Sequence, residues 1–382
     1  MYRRSFLQGS ITLVLLQSLL GCTNNSQEKL SVQLLKGSIP AQVVNKFRRA
    51  LQQKAQLNFA PAEQLQDLYQ ELQTWHNQSK TNSPKKWNFP LPLGSSAKDA
   101  VADLVTLGDY WLKAAIEQKL IQPLEVEQLK QWSNLPQRWQ ELVTRNEQGY
   151  PDAQGRVWAA PYSWGSTVIV YDRDKFRELG WEPTDWSDLW RSELRDRISV
   201  LNQPREVIGL VLKKLGQSYN TQNLDSIPNL EEELSTLNQQ VKLYSSTRYL
   251  EPLIIGDTWL AVGWSNDVLS VLGRYPQLAA VIPRSGTALW ADVWVKPAGV
   301  TGEDLAYQWI DFCWLPNIAE QISLLAKTNS PISTKIEYSN LQAELRNLLR
   351  NNNEIFAKSE FLLPLPPGVT AKYESLFNKI KG

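Results

Sequence analysis

Residues 290–294 read Trp-Ala-Asp-Val-Trp. On a strand, alternate side chains share a face, so Trp290, Asp292 and Trp294 point one way and Leu289, Ala291, Val293 and Val295 the other. A carboxylate between two indoles suits neither a core, which rejects the charge, nor a solvated face, which needs no tryptophan. It suits a pocket for something cationic and partly apolar. Carboxylate oxygens accept from ammonium N–H groups, and an indole attracts the charge while covering carbon. The plainer alternative is a mixed surface strand with a solvated Asp. Glu206 opens a helix just after a strand, where the alternative role is that of an acid stabilised by the helix macrodipole. Trp264 sits at a strand end, where core packing is the alternative. Of the Tyr110–Trp111 pair, one is expected in the core and Tyr110 in the cleft. Ser265 and Asn266, after Trp264, read as helix caps.

Chemistry on a ligand is hard to build from this chain. It has one histidine, His76, at the end of a Gln-rich helix, no Gly-x-Ser-x-Gly and no Cys/His cluster. No metal site is expected. Two carboxylates, Glu206 and Asp292, could serve glycoside chemistry. The net charge of +1 provides no bulk field for nucleic acid. Of the sixteen tryptophans, most should be structural and several should line a ligand site.

The elements that must hold these residues alternate strand, polar turn and helix, which argues for an α/β layer architecture. Strands are expected at 30–36, 57–59, 103–106, 156–160, 166–171, 197–201, 242–244 and 259–263, then in Leu-Ala-Ala-Val-Ile-Pro (278–283) and Leu-Trp-Ala-Asp-Val-Trp-Val (289–295). A Pro-containing turn is expected between 160 and 166. Helices are expected over 41–55, from Tyr110, up to Gly216 and on both sides of Pro316. Another is capped by Ser187, and 338–362 reads as helical. Residues 77–98, rich in Pro and Ser, read as an irregular insertion. In open α/β sheets ligands sit beyond the carboxyl ends of strands. The turns in that position, 36–40, 107–111, 202–206 and 264–267, carry Tyr110, Trp111, Glu206 and Trp264.

The first residues form a separate device. Arg3 and Arg4 precede an apolar run from about Ile11 to Leu20, too short to span a membrane and fitting a signal-peptide core. Leu19-Leu20-Gly21-Cys22 resembles a bacterial lipobox, so 1–22 is expected as a lipoprotein signal with Cys22 lipidated, and 23–29 as a polar tether. The segment Arg-Arg-Ser-Phe-Leu-Gln resembles a twin-arginine export motif. Cys313 is then the one remaining thiol, set in an apolar helix as a packing residue.

Five collinear segments resemble the periplasmic polyamine-binding proteins, the spermidine/putrescine receptors of ABC importers. They are Asp-Leu-Val-Thr-Leu-Gly-Asp-Tyr (103–110), Pro-Tyr-Ser-Trp-Gly-Ser-Thr (161–167), Trp-Ser-Asp-Leu-Trp (186–190) with Arg205-Glu206, Gly-Trp-Ser-Asn-Asp (263–267), and Leu-Trp-Ala-Asp-Val-Trp (289–294). The resemblance implies a two-lobed α/β fold of the type II periplasmic-binding-protein kind, with hinge strands between lobes. Lobe 1 would comprise 30–160 with 284–335, and lobe 2 161–283 with 336–382. It implies that Tyr110, Gln203, Glu206, Trp264, Trp290 and Asp292 line the ligand, carboxylates on ammonium groups and aromatics on the methylene chain. It further implies a monomer without cofactor, held to the membrane by its lipid, delivering a small cationic ligand to an ABC permease. This chain departs from the family at three places. Gln203 stands where an aspartate is usual, Lys36-Gly37-Ser38 lacks an aromatic and adds a cation, and 326–331 lacks a late tyrosine. These departures leave a shorter or singly charged amine, or an amino acid-like compound, open as ligand. They also leave open a protein-binding scaffold with a decayed pocket or, further off, an envelope hydrolase.

Overall fold

The structure, a computed structural model, describes residues 28–51, 54–81, 101–301, 304–332, 346, 348–349 and 353–381. The signal, Cys22 and most of the tether lie outside the described residues, as does most of the 77–98 insertion.

One half of the molecule is built on β1 (Lys29–Leu35), parallel to β2 (Gln56–Ala62) and β3 (Leu104–Gly108). Leu30, Val32 and Leu34 alternate into the core, the pattern of a half-buried strand. Around these strands pack α1 (Ala41–Ala50), α2 (Leu65–Thr81) and α3 (Asp109–Glu117). Helix α1 stops five residues short of the expected end, because Leu51 turns extended and the chain must run back to pair as β2. The short β4 (Ile121–Gln122), α4 (Gln137–Val143), β5 (Thr144–Arg145) and β6 (Arg156–Val157) complete this side.

The chain then enters β7 (Ala160–Asp172). Two strands with a turn at Pro161 were expected here, but the structure has one thirteen-residue strand. Pro161 is accommodated because the ladder slips at that point. Val293 pairs with Pro161 and Asp292 with Ser163, leaving Tyr162 as the extra residue of a bulge where a missing N–H is tolerated. The other half follows, with α5 (Arg173–Leu179), β8 (Ile198–Val200), α6 (Pro204–Lys214), α7 (Leu230–Asn238), β9 (Val241–Tyr244), α8 (Glu251–Ile254), β10 (Leu260–Trp264), α9 (Ser265–Leu272) and β11 (Leu278–Val281). Strands β9, β8 and β10 are parallel, and β7 runs antiparallel to β10. The helical turn at 186–190 is capped by Asp185, reciprocally with Asp188, and not by Ser187.

Strand β12 (Ala288–Pro297) returns to the first half, where α10 (Asp304–Cys313) and α11 (Pro316–Ala326) pack. Its first part pairs with β7 and its second with β3, so β7 and β12 are the two strands shared by both lobes. The full sheet order is β2-β1-β3-β12-β7-β10-β8-β9. Hydrophobic clusters form on either side of the crossing, one containing Leu104, Trp294, Trp309 and Trp314, the other Ile169, Trp186, Leu210 and Leu260. Cys313 is buried in the first of these as a free thiol.

A strap crosses the back of β7 and β12. It consists of the helix Asn353–Lys358 and β13 (Glu360–Phe361), which pairs with Ala288 and Leu289. The expected helix over 338–362 therefore ends early within the described residues. Arg138 of α4 donates to the Phe356 and Ser359 carbonyls, while Lys213 of α6 and Ser218 bind Glu360. Phe361 packs in the first cluster, and Leu365, Tyr373 and Phe377, around and within the C-terminal helix Pro367–Lys381, pack in the second.

Candidate functional site

The front of the same crossing carries the residues singled out in the sequence. Ser163, Gly165 and Thr167 alternate onto one face of β7. Asp292 lies opposite Ser163, Trp290 opposite Gly165, and Trp264 of β10 opposite Thr167. Partners on antiparallel rungs share a face. The sheet therefore lines up Asp292, Trp290 and Trp264 along four residues of strand, about 13 Å at ~3.3 Å per residue. The row passes from one lobe to the other.

At the lobe 2 end, Glu206 lies in the first turn of α6, buried at 7% exposure. The Thr167 hydroxyl lies 3.0 and 2.9 Å from its two carboxylate oxygens, and Trp264 Nε1 donates to Oε1 at 3.3 Å. Burial raises its pKa, while those two bonds and Arg205 hold it down. Arg205 is itself fixed by the Leu363 and Tyr219 carbonyls and Asn220 Oδ1. Gln203 is the half-buried residue that precedes α6, and its side chain makes no capping bond. Asp267, which follows Trp264 in the first turn of α9, accepts from Tyr249 Oη at 2.8 Å, and the same oxygen accepts from Trp264 N at 3.1 Å.

At the lobe 1 end, Asp292 is 5% exposed and no protein donor reaches its carboxylate among the described residues. Asp109, at the start of α3 and equally buried, is its neighbour. Asp292 pairs with Gly108 in the β3–β12 ladder, and Asp109 Oδ1 accepts from Ala291 N at 2.9 Å. Burial pushes Asp292 up to about 7, with the negative charge of Asp109 adding to it, and pushes Asp109 up to about 6. Arg145, buried in β5, opposes the Asp109 shift from a distance; its own donors go to the Leu142 and Gly149 carbonyls. The floor beneath is Tyr162, bonded to Thr106 Oγ1 at 3.0 Å and stacked on Trp294 at 4.2 Å.

The two indoles flanking Asp292 thus have different fates. Trp290 is half-buried and lies flat over Gly165, where a Cβ would come within 2.2 Å of its ring. Trp294 is fully buried under the floor, between Tyr162 and Trp309, so it is core and not a wall of the site. Tyr110 is 62% exposed and faces toward Arg205 of the opposite lobe, while Trp111 stacks on Tyr69. Ser265 does not cap its helix; its hydroxyl accepts from Ser166 N. Lys36 is paired with Glu63 at 2.7 Å on the surface. The structure therefore brings Trp264 and Glu206 together, sets Asp292 and Trp290 along the same row, and leaves Tyr110 and Gln203 at the margins. Asp109 and Asp267 were read in the sequence only as turn residues. The signal that could have found them is that each is a carboxylate in a turn already chosen for its aromatic. Among the described residues no group of three or more His, Cys, Asp and Glu is placed to hold a metal.

The arrangement offers carboxylate oxygens at both ends and indole surface between them.

A family model described as bacterial extracellular solute-binding protein matches residues 99–358. The chain is 28% identical over 236 residues to the putrescine-binding periplasmic protein PotF of Escherichia coli, covering 58% of this chain and 62% of that one. It is 27% identical over 229 residues to the spermidine/putrescine-binding periplasmic protein of Salmonella typhimurium, covering 59% and 62%. The match spans about three fifths of the length of these curated relatives. Among solved structures, it resembles the spermidine/putrescine ABC transporter substrate-binding protein PotD of Streptococcus pneumoniae with a TM-score of 0.75 at 21% identity, covering 93% of this chain and 99% of that one. It resembles the TpPotD lipoprotein of Treponema pallidum with a TM-score of 0.67 at 15% identity, covering 93% and 99%. At these identities the structural likeness establishes the fold, the two-lobed one expected.

Proposed function

This chain belongs to the bacterial extracellular solute-binding proteins, and on that premise we propose that it captures a small cationic amine between its lobes for an ABC permease, without chemistry on the amine. The observation that carries this reading is Asp292, an acid buried to 5% exposure, with no donor among the described residues and a second acid beside it. A buried carboxylate is costly unless paired, and an ammonium supplies both the charge and the N–H groups. Trp290 and Trp264 stand along the row where the carbon chain of such a ligand would lie. Putrescine and spermidine, named in the relatives that the chain resembles, have this chemistry. Gln203 in place of a carboxylate favours the smaller or less charged of such amines. The hydrophobic clusters support in outline the assignment of 30–160 with 284–335 to one lobe and 161–283 with 336–382 to the other, though Tyr162 and Trp164 pack in the first cluster and Ala288 in the second, and the strap at 353–361 serves both.

Isothermal calorimetry with putrescine, cadaverine, agmatine and spermidine tests the reading. At least one should bind at micromolar Kd or tighter, roughly −8 kcal/mol. Asp292→Asn should weaken that binding at least tenfold with the fold intact by circular dichroism, on the order of one charge-assisted hydrogen bond. Equal affinities would remove Asp292 from the site. The lipid anchor at Cys22 belongs to the same proposal and rests on the Leu19–Cys22 sequence. Labelled palmitate incorporated by wild type and not by Cys22→Ala would support it, and equal labelling would refute it.

A further inference from the structure

We propose that Asp109 and Asp292 hold one proton between them in the unliganded protein, and that an arriving ammonium displaces it to solvent, so that capture of the cation and release of the proton are one event. The inference rests on the amine-binding reading above and gives Asp109 a role in it.

The geometry comes from strand register. Asp292 stands opposite Gly108, and the next residue, Asp109, ties its Oδ1 to the amide of Ala291. The ladder thus holds two carboxylates as neighbours, each 5% exposed. The groups facing them from the surrounding elements do not cancel two negative charges. Strand β7 offers the Tyr162 hydroxyl, engaged with Thr106, and the turn after β1 offers the Ser38 hydroxyl. Helix α10 brings the Cys313 thiol, kept protonated by burial, against Trp294 and Tyr162 of the floor. Arg145 on β5 acts on Asp109 only from a distance: among the described residues it makes no ion pair within 4 Å, and its guanidinium bonds the Leu142 and Gly149 carbonyls. Lys36 is turned outward to Glu63, and Arg205, across the cleft, is taken up by Leu363, Tyr219 and Asn220.

Two like charges buried on adjacent rungs in a low dielectric repel each other, and one proton held by the pair is the least costly neutraliser until a cation arrives. Burial and the Asp109 charge place Asp292 at about 7, so the proton is present in part at neutral pH. The balance is simple. The ammonium keeps all its protons, Asp292 loses one to water, and the net charge at this end of the site is the same before and after.

The test is calorimetry of putrescine binding in phosphate and in MOPS, buffers of different ionisation enthalpy. Wild type should release roughly half a proton at pH 7 and bind roughly thirtyfold more weakly at pH 5.5 than at pH 8. Asp109→Asn keeps an oxygen for the Ala291 amide and removes the like charge but not the burial, so proton release at pH 7 should shrink and the pH profile move to lower pH. A purely structural Asp109 would lower affinity by the same factor at every pH and leave the proton count unchanged, and that result overturns the proposal. So does a wild type with no buffer dependence. Carbon-13 NMR of aspartate carboxyls in the unliganded protein gives a readout free of ligand. One resonance should titrate near pH 7 in wild type and shift down in Asp109→Asn. Its absence in wild type overturns the shared proton, whichever amine binds. If the resonance is present and no amine binds, the amine-binding reading fails instead.

Discussion

Glu206 and Asp292 are both buried acids, yet the protein solvates only one of them. Glu206 receives Thr167 and Trp264, whereas among the described residues no donor reaches Asp292. This difference sets what each substitution does. Glu206→Gln should weaken putrescine binding about tenfold to a hundredfold, the range of one hydrogen bond to a charged group at about 1.5–3 kcal/mol. It should leave unliganded thermal stability unchanged or higher, because a neutral amide costs less to bury and its oxygen still accepts. Calorimetric Kd and the melting temperature measure the two effects, and an affinity within threefold of wild type would place Glu206 outside the binding face. Asp292 was legible as an acid between two indoles, and Glu206 and Trp264 from their turns beyond strand ends together with the family resemblance. Asp109 was not legible in this way. A lone aspartate after glycine reads as a turn or a helix start, and only the return of β12 across β3, almost two hundred residues later, makes it the neighbour of Asp292.

At the level of elements, the alternation of strands, turns and helices was readable because each strand carries its apolar residues in phase and each turn its polar ones. The errors fall where pairing with distant chain overrides local preference. Pro161 suggested a turn, but the bulge against β12 absorbs it and β7 runs through. Residues 338–362 suggested a helix, but Glu360 and Phe361 join β12 as a strand, held by Lys213, Ser218 and Asn220. Trp294 follows the same rule. Its alternation with Asp292 is real, but α10 and Tyr162 cover it. Strand β7 also holds the one glycine on which the site depends. A Cβ at Gly165 would lie 2.2 Å from Trp290 Cζ2 and 2.6 Å from Ser265 Oγ. Gly165→Ala must therefore lift Trp290 off the strand. With an overpacking cost of roughly 1–3 kcal/mol, the expected result is about a tenfold or greater loss of amine affinity, with the fold retained by circular dichroism and a shift in tryptophan fluorescence. Unchanged affinity with shifted fluorescence would mean that Trp290 moves without consequence and is no wall of the site.

At the scale of the whole molecule, a binding site left with uncompensated buried acids makes the unliganded protein's stability depend on pH in an unusual direction. Asp292 and Asp109 go from 3.8 in the unfolded chain to about 7 and about 6 when folded. Between these values the folded state binds more protons than the unfolded one, so stability falls as pH rises. The contribution is fully present below pH 4 and is lost as pH climbs through 6 and 7. Each unit is worth about 1.4 kcal/mol, so the pair accounts for a loss on the order of several kcal/mol. Glu360 acts in the opposite sense. Its pKa is lowered in the fold through Lys213 and Ser218, so its contribution is lost only as pH falls below the ordinary carboxylate range. Glu206 and Asp267, also raised by burial, act in the same sense as the acid pair across the window from pH 5 to 8. Over it the melting temperature of the unliganded protein should decline, Asp292→Asn should remove most of the slope, and putrescine at a hundred times its Kd should restore about 2.7 kcal/mol at pH 8. A melting temperature that rises across this window, in parallel for wild type and Asp292→Asn, would mean that the two acids titrate as ordinary surface groups and that closure of the lobes does not bury an unpaired charge.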